Sequence, residues 1–187
     1  MKRSAVMVFV VLAVLAVMAM FGTAGAAFAA GPVTLTDDAG NTVTLHPIEG
    51  VEDMLYYHSD RFGFSVKIPH FFTKAVTLPG RHEEMVLESE DGKMFLSLFG
   101  SEVFVEEWLE ESYDSVISEI GIENIISSFK FDNYWEIDWE KDGTRSRRKL
   151  VVKNDEVWCS LEISVQKPER FYEALHEAIY NLSFGEG

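Results

Sequence analysis

The sequence is poor in cysteine: Cys159 is the only one among 187 residues. No disulfide can form within the chain, so the fold must depend on its apolar core. Cys159 alternates with Val157, Leu161 and Ile163 in the segment EVWCSLEIS, which predicts the apolar face of a strand. We therefore interpret Cys159 as a small buried hydrophobic residue rather than a nucleophile.

Sequence motifs of catalysis are also missing. There is no G-x-S-x-G elbow, no phosphate-binding glycine loop, no G-x-G-x-x-G and no C-x-x-C. The segment HEEMV at His82 lacks the second histidine of a zinc-protease helix. We therefore predict that the protein is not an enzyme, and we assign no catalytic residue and no cofactor. A hydrolase with an unrecognised site stays open as an alternative.

Basic residues are scarce, with 16 Lys and Arg against 31 Asp and Glu, so the net charge is -15. A surface of this charge repels nucleic acid phosphates and anionic lipids. It excludes a nucleic-acid partner and favours a protein that meets cationic partners or metal ions.

Long apolar runs are confined to the N-terminus. Lys2 and Arg3 precede an uncharged run from Ala5 to Phe21, and the small-residue tract GTAGAAFAA follows. This order is typical of a secretory signal, and Ala27-Phe28-Ala29 fits its cleavage rule. We expect residues 1–29 to be removed, which takes the net charge from -15 to -17. The mature protein is then periplasmic or secreted; the alternative is an uncleaved N-terminal membrane anchor.

Two patterns describe the first half of the remaining chain. The segment VTLTDDAGNTVTL predicts a short β-hairpin over residues 33–45, followed by a linker that ends near Gly50. The segment RFGFSVKIP then predicts a core strand from Arg61 to Ile68 that stops at Pro69. Its inward residues share the even positions of the strand: Phe62, Phe64, Val66 and Ile68.

The second half predicts strands and two helices. Apolar spacing indicates a helix over about 105–120 that ends at Gly121, with an acidic outer face that suits solvent, a cation or a basic partner. A last helix begins near Pro168 and buries Leu175 and Ile179. Strands are predicted at 74–78, 84–89, 94–99, 125–131, 134–141, 145–153 and 156–165.

Three of these strands form a meander whose turns fix the pairing. A two-residue loop at Asp142-Gly143 places three acids opposite three bases: Glu140 with Arg145, Asp138 with Arg147, and Glu136 with Lys149. We interpret them as ion pairs of an exposed sheet face rather than as catalytic carboxylates. A two-residue loop at Asn154-Asp155 would place Arg147 opposite Glu162 and Leu150 opposite Cys159. Arg148 falls on the apolar face, either stacked on a tryptophan, paired with an acid, or at an uncovered end.

Loop histidines suggest the weak candidates for a metal site. His58, Asp60, His70 and His82 lie at the ends of predicted strands, where neighbouring loops can bring such side chains together. His58 and Asp60 lie at one end of the predicted core strand and His70 at the other. They can share a site only through a neighbouring strand or loop.

The order of these segments resembles the PsbP-like family. The resemblance rests on FGFSVKIP, on the acidic helix between a hairpin and a meander, and on the final helix ending AIYNLSF. It implies an α+β fold: an antiparallel β-sheet flanked by helices in an α/β/α sandwich, shared with a Ran-binding nuclear import factor and preceded here by the hairpin. We expect a signal peptide over 1–29, a hairpin and linker over 30–50, and a PsbP-like domain of the secreted bacterial branch over 51–187.

Plant members of this family are extrinsic subunits of photosystem II, so the resemblance implies an accessory role. We therefore expect a non-enzymatic binding or accessory protein that acts through contacts with a protein partner in the cell envelope or outside the cell. The alternative is an extracytoplasmic metal-binding protein that uses the loop histidines and acids.

Overall fold

The structure is a computed structural model that describes residues 31–79, 84–102, 108–153, 156–167 and 169–185. The expected signal segment, His82 and Pro168 lie outside these residues, as do Asn154 and Asp155. Within them, no helix is long and apolar enough to cross a bilayer.

The described chain folds into two antiparallel β-sheets. The first has the order β1-β2-β3-β4-β12, and the second has the order β5-β6-β7-β11-β10-β9-β8. The five strands of the first sheet are β1 (Val33–Thr36), β2 (Thr42–Ile48), β3 (Val51–His58), β4 (Phe64–Pro69) and β12 (Ser183–Phe184). The seven strands of the second sheet are β5 (Phe72–Thr77), β6 (Glu84–Ser89), β7 (Met94–Glu102), β8 (Ile125–Lys130), β9 (Tyr134–Lys141), β10 (Thr144–Lys153) and β11 (Val157–Gln166).

Two helices accompany the sheets: α1 (Trp108–Ile120) and α2 (Tyr172–Tyr180). A 3₁₀ turn, Ile122–Asn124, follows α1, and another, Glu169–Phe171, precedes α2. Gly121 lies at the predicted end of α1 with a φ of 87°, a conformation that glycine adopts without strain.

The predicted α/β/α sandwich is wrong. The described chain is mostly β, because one face of the seven-stranded sheet is covered largely by a second sheet rather than by helices. The predicted hairpin forms β1 and β2, and β2 pairs with β3 in the five-stranded sheet. Strand β3 was not predicted, because two consecutive buried residues, Met54 and Leu55, interrupt the alternation expected of a half-buried strand.

The larger hydrophobic core lies between the two sheets and α2. The even positions Phe62, Phe64, Val66 and Ile68 are all buried there, which confirms their predicted inward direction. The strand itself, β4, begins at Phe64 rather than Arg61, so Phe62 lies in the turn before it. Strand β4 lies in the five-stranded sheet between β3 and β12. A smaller core separates α1 from the opposite face of the seven-stranded sheet and includes Trp135, Ile137 and Trp139.

Asp37 joins the hairpin to the seven-stranded sheet. Its carboxylate accepts hydrogen bonds from the backbone N–H groups of Ala39 at 3.0 Å and Asn41 at 2.8 Å, which close the hairpin turn. It also accepts one from the N–H of Leu78 at 3.0 Å, just after β5. The turn aspartate therefore both shapes the hairpin and anchors it to the neighbouring strand.

Gly100 in β7 allows the rings of Phe62 and Phe64 to pack closely. A Cβ atom at this position would lie 2.6 Å from both Phe62 Cδ2 and Phe64 Cε1. We therefore expect Gly100→Ala to lower the free energy of unfolding by about 1–3 kcal/mol, because the rings must move. Urea unfolding measures this, with Gly31→Ala as control because nothing lies within 4 Å of a Cβ there. Equal midpoints for the two variants would contradict the close packing.

Candidate functional site

A buried charge cluster lies where α2 crosses the seven-stranded sheet. Asp138 is 2% exposed, and its Oδ2 accepts hydrogen bonds from Arg145 at 3.1 Å, Arg147 at 2.9 Å and the Tyr172 hydroxyl at 2.6 Å. Arg147 also lies 3.5 Å from Glu136. The predicted cross-strand pairing of these strands is confirmed, and Asp138 pairs with Arg147 as predicted. Two further ion pairs run diagonally, from Arg145 to Asp138 and from Arg147 to Glu136, and both carboxylates are buried. The expectation of an exposed face was wrong because α2 covers it.

The charge state of the cluster follows from its contacts. Burial alone would raise the pKa of Asp138, but hydrogen bonds from Arg145, Tyr172 and Arg147 outweigh burial and lower that pKa below its usual value. Burial and the hydrogen bond to Asp138 raise the pKa of Tyr172 to about 12, so its hydroxyl stays a donor at neutral pH. The Tyr172 ring also lies over Arg145, 4.2 Å from the guanidinium carbon. The cluster therefore fastens α2 to the sheet.

The opposite face of the sheet carries the α1 cleft, defined by Trp108, Ser112, Arg148, Leu150, Trp158 and Ser160. It encloses about 410 Å³, within the range of small-ligand sites. The rings of Trp108 and Trp158 stack with centroids 4.5 Å apart at its wall. Arg148 donates to Glu162 at 2.6 Å and lies over Trp139. The arginine of the apolar face thus has a partner on the adjacent strand.

This pairing corrects the predicted register of β10 and β11. Arg148, not Arg147, is opposite Glu162, and Val151, not Leu150, is opposite Cys159. One more residue separates the strands than a two-residue loop allows, because Lys153 pairs with Val157. A slip of one residue exchanges the faces of a strand.

Cys159 is fully buried in the core between the sheets. Burial raises the pKa of its thiol, and Lys149 opposes the shift only in part. The thiol therefore stays protonated. Its interpretation as a buried hydrophobic residue is confirmed.

The open edge of the seven-stranded sheet carries exposed apolar side chains. Nine large apolar residues of the described chain are exposed, and four of them lie within residues 122–131. We call these four the edge patch: Ile122 (79% exposed), Ile126 (50%), Phe129 (55%) and Phe131 (52%). Among the described residues, strand β8 pairs only with β9, so its outer backbone groups have no strand partner there. The apolar residues at 125, 126, 129 and 131 predicted a strand. They did not indicate that this strand lies at the edge of the sheet.

The candidate metal ligands are only partly brought together. His58 Nε2 lies 3.9 Å from Asp60 Oδ1, and His58 Nδ1 lies 2.9 Å from Ser65 Oγ. His70 follows the other end of β4, where its N–H donates to the carbonyl of Asp53. His82 lies outside the described residues. Among the residues that the structure describes, no three His, Cys, Asp or Glu side chains gather as metal ligands.

Comparisons with known proteins identify the fold. No family profile and no curated protein matches the sequence. The solution structure of cyanobacterial PsbP (CyanoP) from Synechocystis sp. PCC 6803 is similar, with a TM-score of 0.53 and 11% sequence identity. The similarity covers 74% of this chain and 96% of that one. The chain therefore has a PsbP-like fold, as its motifs indicated.

Proposed function

We propose that the protein is a non-enzymatic, extracytoplasmic accessory protein that binds another protein through the open edge of its seven-stranded sheet. The observation that carries this proposal is the edge patch. Ile126 and Phe129 lie on β8, whose outer side has no strand partner in the described part of the chain, and Ile122 and Phe131 flank that strand. The signal-like N-terminus supports the location, and the resemblance to a family with extrinsic subunits supports the accessory role.

The two edges of the sheet differ in how they meet solvent. On β5, the pairing with β6 shifts register twice, and Lys74 bonds to the carbonyl of Glu90 at 2.7 Å. Charged side chains and irregular pairing protect an edge from adding another strand. On β8, the pairing with β9 shifts register once, at Ile126, and half-exposed Ile126 and Phe129 lie along the edge. An edge of this kind accepts an extended segment, whose backbone pairs with the strand while its side chains contact the apolar residues.

Charge indicates the chemistry of that segment. Helix α1, which packs on β8 and β9, exposes Glu111, Asp114 and Glu119, while Glu110 bonds to Lys130 at 2.8 Å. The partner segment therefore combines apolar residues for the edge patch with basic residues for these acids. Such complementarity raises association rates and weakens with salt.

The proposal is tested by capturing the protein from cells that produce it and quantifying co-purified proteins. Ile126→Lys places a charge in the edge patch, and Val76→Lys places the same charge at an equally exposed site on β5, since Ile126 is 50% and Val76 49% exposed. We expect one protein whose recovery falls about tenfold with Ile126→Lys and is unchanged with Val76→Lys.

Two outcomes would contradict the proposal. One is a set of co-purified proteins that does not depend on Ile126. The other is a concentration-dependent dimer of the purified protein that Ile126→Lys dissociates, because the edge would then bind a second copy.

A further inference from the structure

A groove that contains two lysines opens where β9 begins and β10 ends, at the far end of these strands from the Asp142-Gly143 turn. We call it the basic groove and define it by Tyr134, Lys149, Val151, Lys153, Leu182 and Phe184. It encloses about 480 Å³, enough for a small organic molecule. One wall belongs to the seven-stranded sheet and the other to the segment around β12.

Lys149 is the unusual residue of this groove. Its side chain is partly buried, and its Nζ lies 5.2 Å from the centroid of the Tyr134 ring. Within the described residues it has no ion pair or hydrogen bond, although the chain has 31 acidic side chains. The nearest acid along the sheet, Glu136, pairs with Arg147. An unpaired, partly desolvated ammonium is unfavourable, and a bound anion removes that cost.

Burial also acts on the charge of this lysine. It lowers the pKa of Lys149, while Glu136 opposes the shift. A bound anion would favour the charged form and strengthen the contact in turn.

Lys153 gives the groove a second positive charge. It lies four residues further along β10, on the same face, and is exposed, with its Nζ 5.7 Å from the Phe184 ring centroid. Val151 lies between the two lysines, and Leu182 lies on the facing wall. The groove thus joins an inner cation, an apolar floor with two aromatic rings, and an outer cation.

We propose that the basic groove binds a small organic anion with one carboxylate head and an aromatic or short aliphatic tail. Lys149 binds the head, Tyr134 and Phe184 contact the tail, and Lys153 at the mouth attracts the anion. A net charge of -15 disfavours anions near the protein in general, so an anion is favoured only where cations gather, as these two lysines do. This inference goes beyond the proposed function and does not depend on the edge patch.

The experiment titrates the purified protein with 4-phenylbutyrate and follows backbone amide signals by NMR. The neutral 4-phenylbutanamide tests whether the charge of the head is needed. Inorganic phosphate, which has no tail, tests whether the tail contributes to binding. We expect saturable shifts at Tyr134, Lys149, Val151 and Phe184 with the carboxylate. We expect binding about tenfold weaker with the amide and with phosphate.

Variants assign the role of each lysine. Lys149→Gln should weaken 4-phenylbutyrate binding about tenfold, and Lys153→Gln about threefold with a smaller salt dependence. Lys67→Gln is the matched control, because Lys67 is also a partly buried lysine but belongs to the other sheet, and it should leave binding unchanged. If Lys149→Gln does not fold, comparing the binding of the amide and of the carboxylate to the unaltered protein still tests whether the groove recognises an anion.

Three results would overturn the proposal. They are shifts confined to residues outside the groove, equal binding of the amide and the carboxylate, and unchanged binding in folded Lys149→Gln. Phosphate that binds as tightly as 4-phenylbutyrate would show that the tail contributes nothing, which also contradicts it.

Discussion

Replacing Asp138 with asparagine should lower the free energy of unfolding by about 3–5 kcal/mol, the usual cost of removing one partner of a buried ion pair. The side chain keeps its shape, but Arg145 and Arg147 lose the charge that binds both of them. Arg147 would keep only the ion pair of its Nη1 with Glu136 at 3.5 Å, and its buried Nε has no hydrogen-bond partner in the described part of the chain. Chemical denaturation at neutral pH measures the change.

The effect of this substitution should depend on pH. Because the pKa of Asp138 is lowered in the folded protein, its contribution is complete above the pKa of the unfolded state, about 3.9. It is lost as the pH falls from there through the folded pKa. The difference between Asp138→Asn and the unaltered protein should therefore be constant from neutral pH to about pH 5 and shrink below about pH 4.

Glu140→Gln is the control for Asp138. Glu140 belongs to the same strand face, but its side chain is 48% exposed and lies 3.9 Å from Lys167, which is 73% exposed. Exposed pairs contribute less than about 1 kcal/mol, so this variant should change stability little. Equal effects of the two substitutions would contradict the anchoring role of the Asp138 cluster.

Phe64→Ala should lower the free energy of unfolding by about 3–5 kcal/mol, because it leaves a cavity between the two sheets. Phe64 is 2% exposed, and its ring lies near three others, with centroids 6.3 Å from Phe62, 6.3 Å from Tyr57 and 6.5 Å from Phe184. The site cannot easily collapse, since backbone of β7 lies against the ring at Gly100. Urea unfolding with a shared slope measures the loss.

Phe131→Ala supplies the matched comparison, because this ring is 52% exposed and belongs to the edge patch. Its removal should cost less than about 1 kcal/mol. A loss below about 1 kcal/mol for Phe64→Ala would contradict its place in the core.

The sequence predicted the meander well where its turn chemistry was explicit. Asp142-Gly143 fixed the pairing of β9 with β10, and the structure confirms it. At the next turn, a loop one residue longer than assumed moved Glu162 to the face of Arg148. Charge offered a signal: Glu162 is the acid of β11 and Arg148 the base without an assigned partner, so pairing them would have corrected the register.

Strands β3 and β12 of the five-stranded sheet could not be predicted from local patterns. Strand β12 has only two residues, and β2 pairs with β3 through a register shift after Pro47. Both features remove the alternation by which a strand is recognised. The sequence also could not predict that a helix covers Glu136 and Asp138. Alternation shows which residues share a face of a strand, but not what packs on that face.

The candidate binding surfaces depend on tertiary contacts even more. The sequence predicted an ion pair between Lys149 and Glu136. In the structure Arg147 pairs with Glu136 instead, and Lys149 faces a groove. The edge patch depends on β8 being last in the strand order. His58 and Asp60 lie close together as their spacing suggested, while His70 lies at the far end of β4, as its position in the sequence had indicated.

The most direct test of the proposed function is photo-crosslinking in cells that produce the protein. A photoreactive phenylalanine derivative replaces Ile126 on β8 in one strain and Val76 on β5 in another. These positions are 50% and 49% exposed on the two edge strands of the same sheet. Binding at the β8 edge predicts one discrete adduct with a second protein from position 126 and none from position 76. No adduct at 126, or the same adducts from both positions, would contradict it.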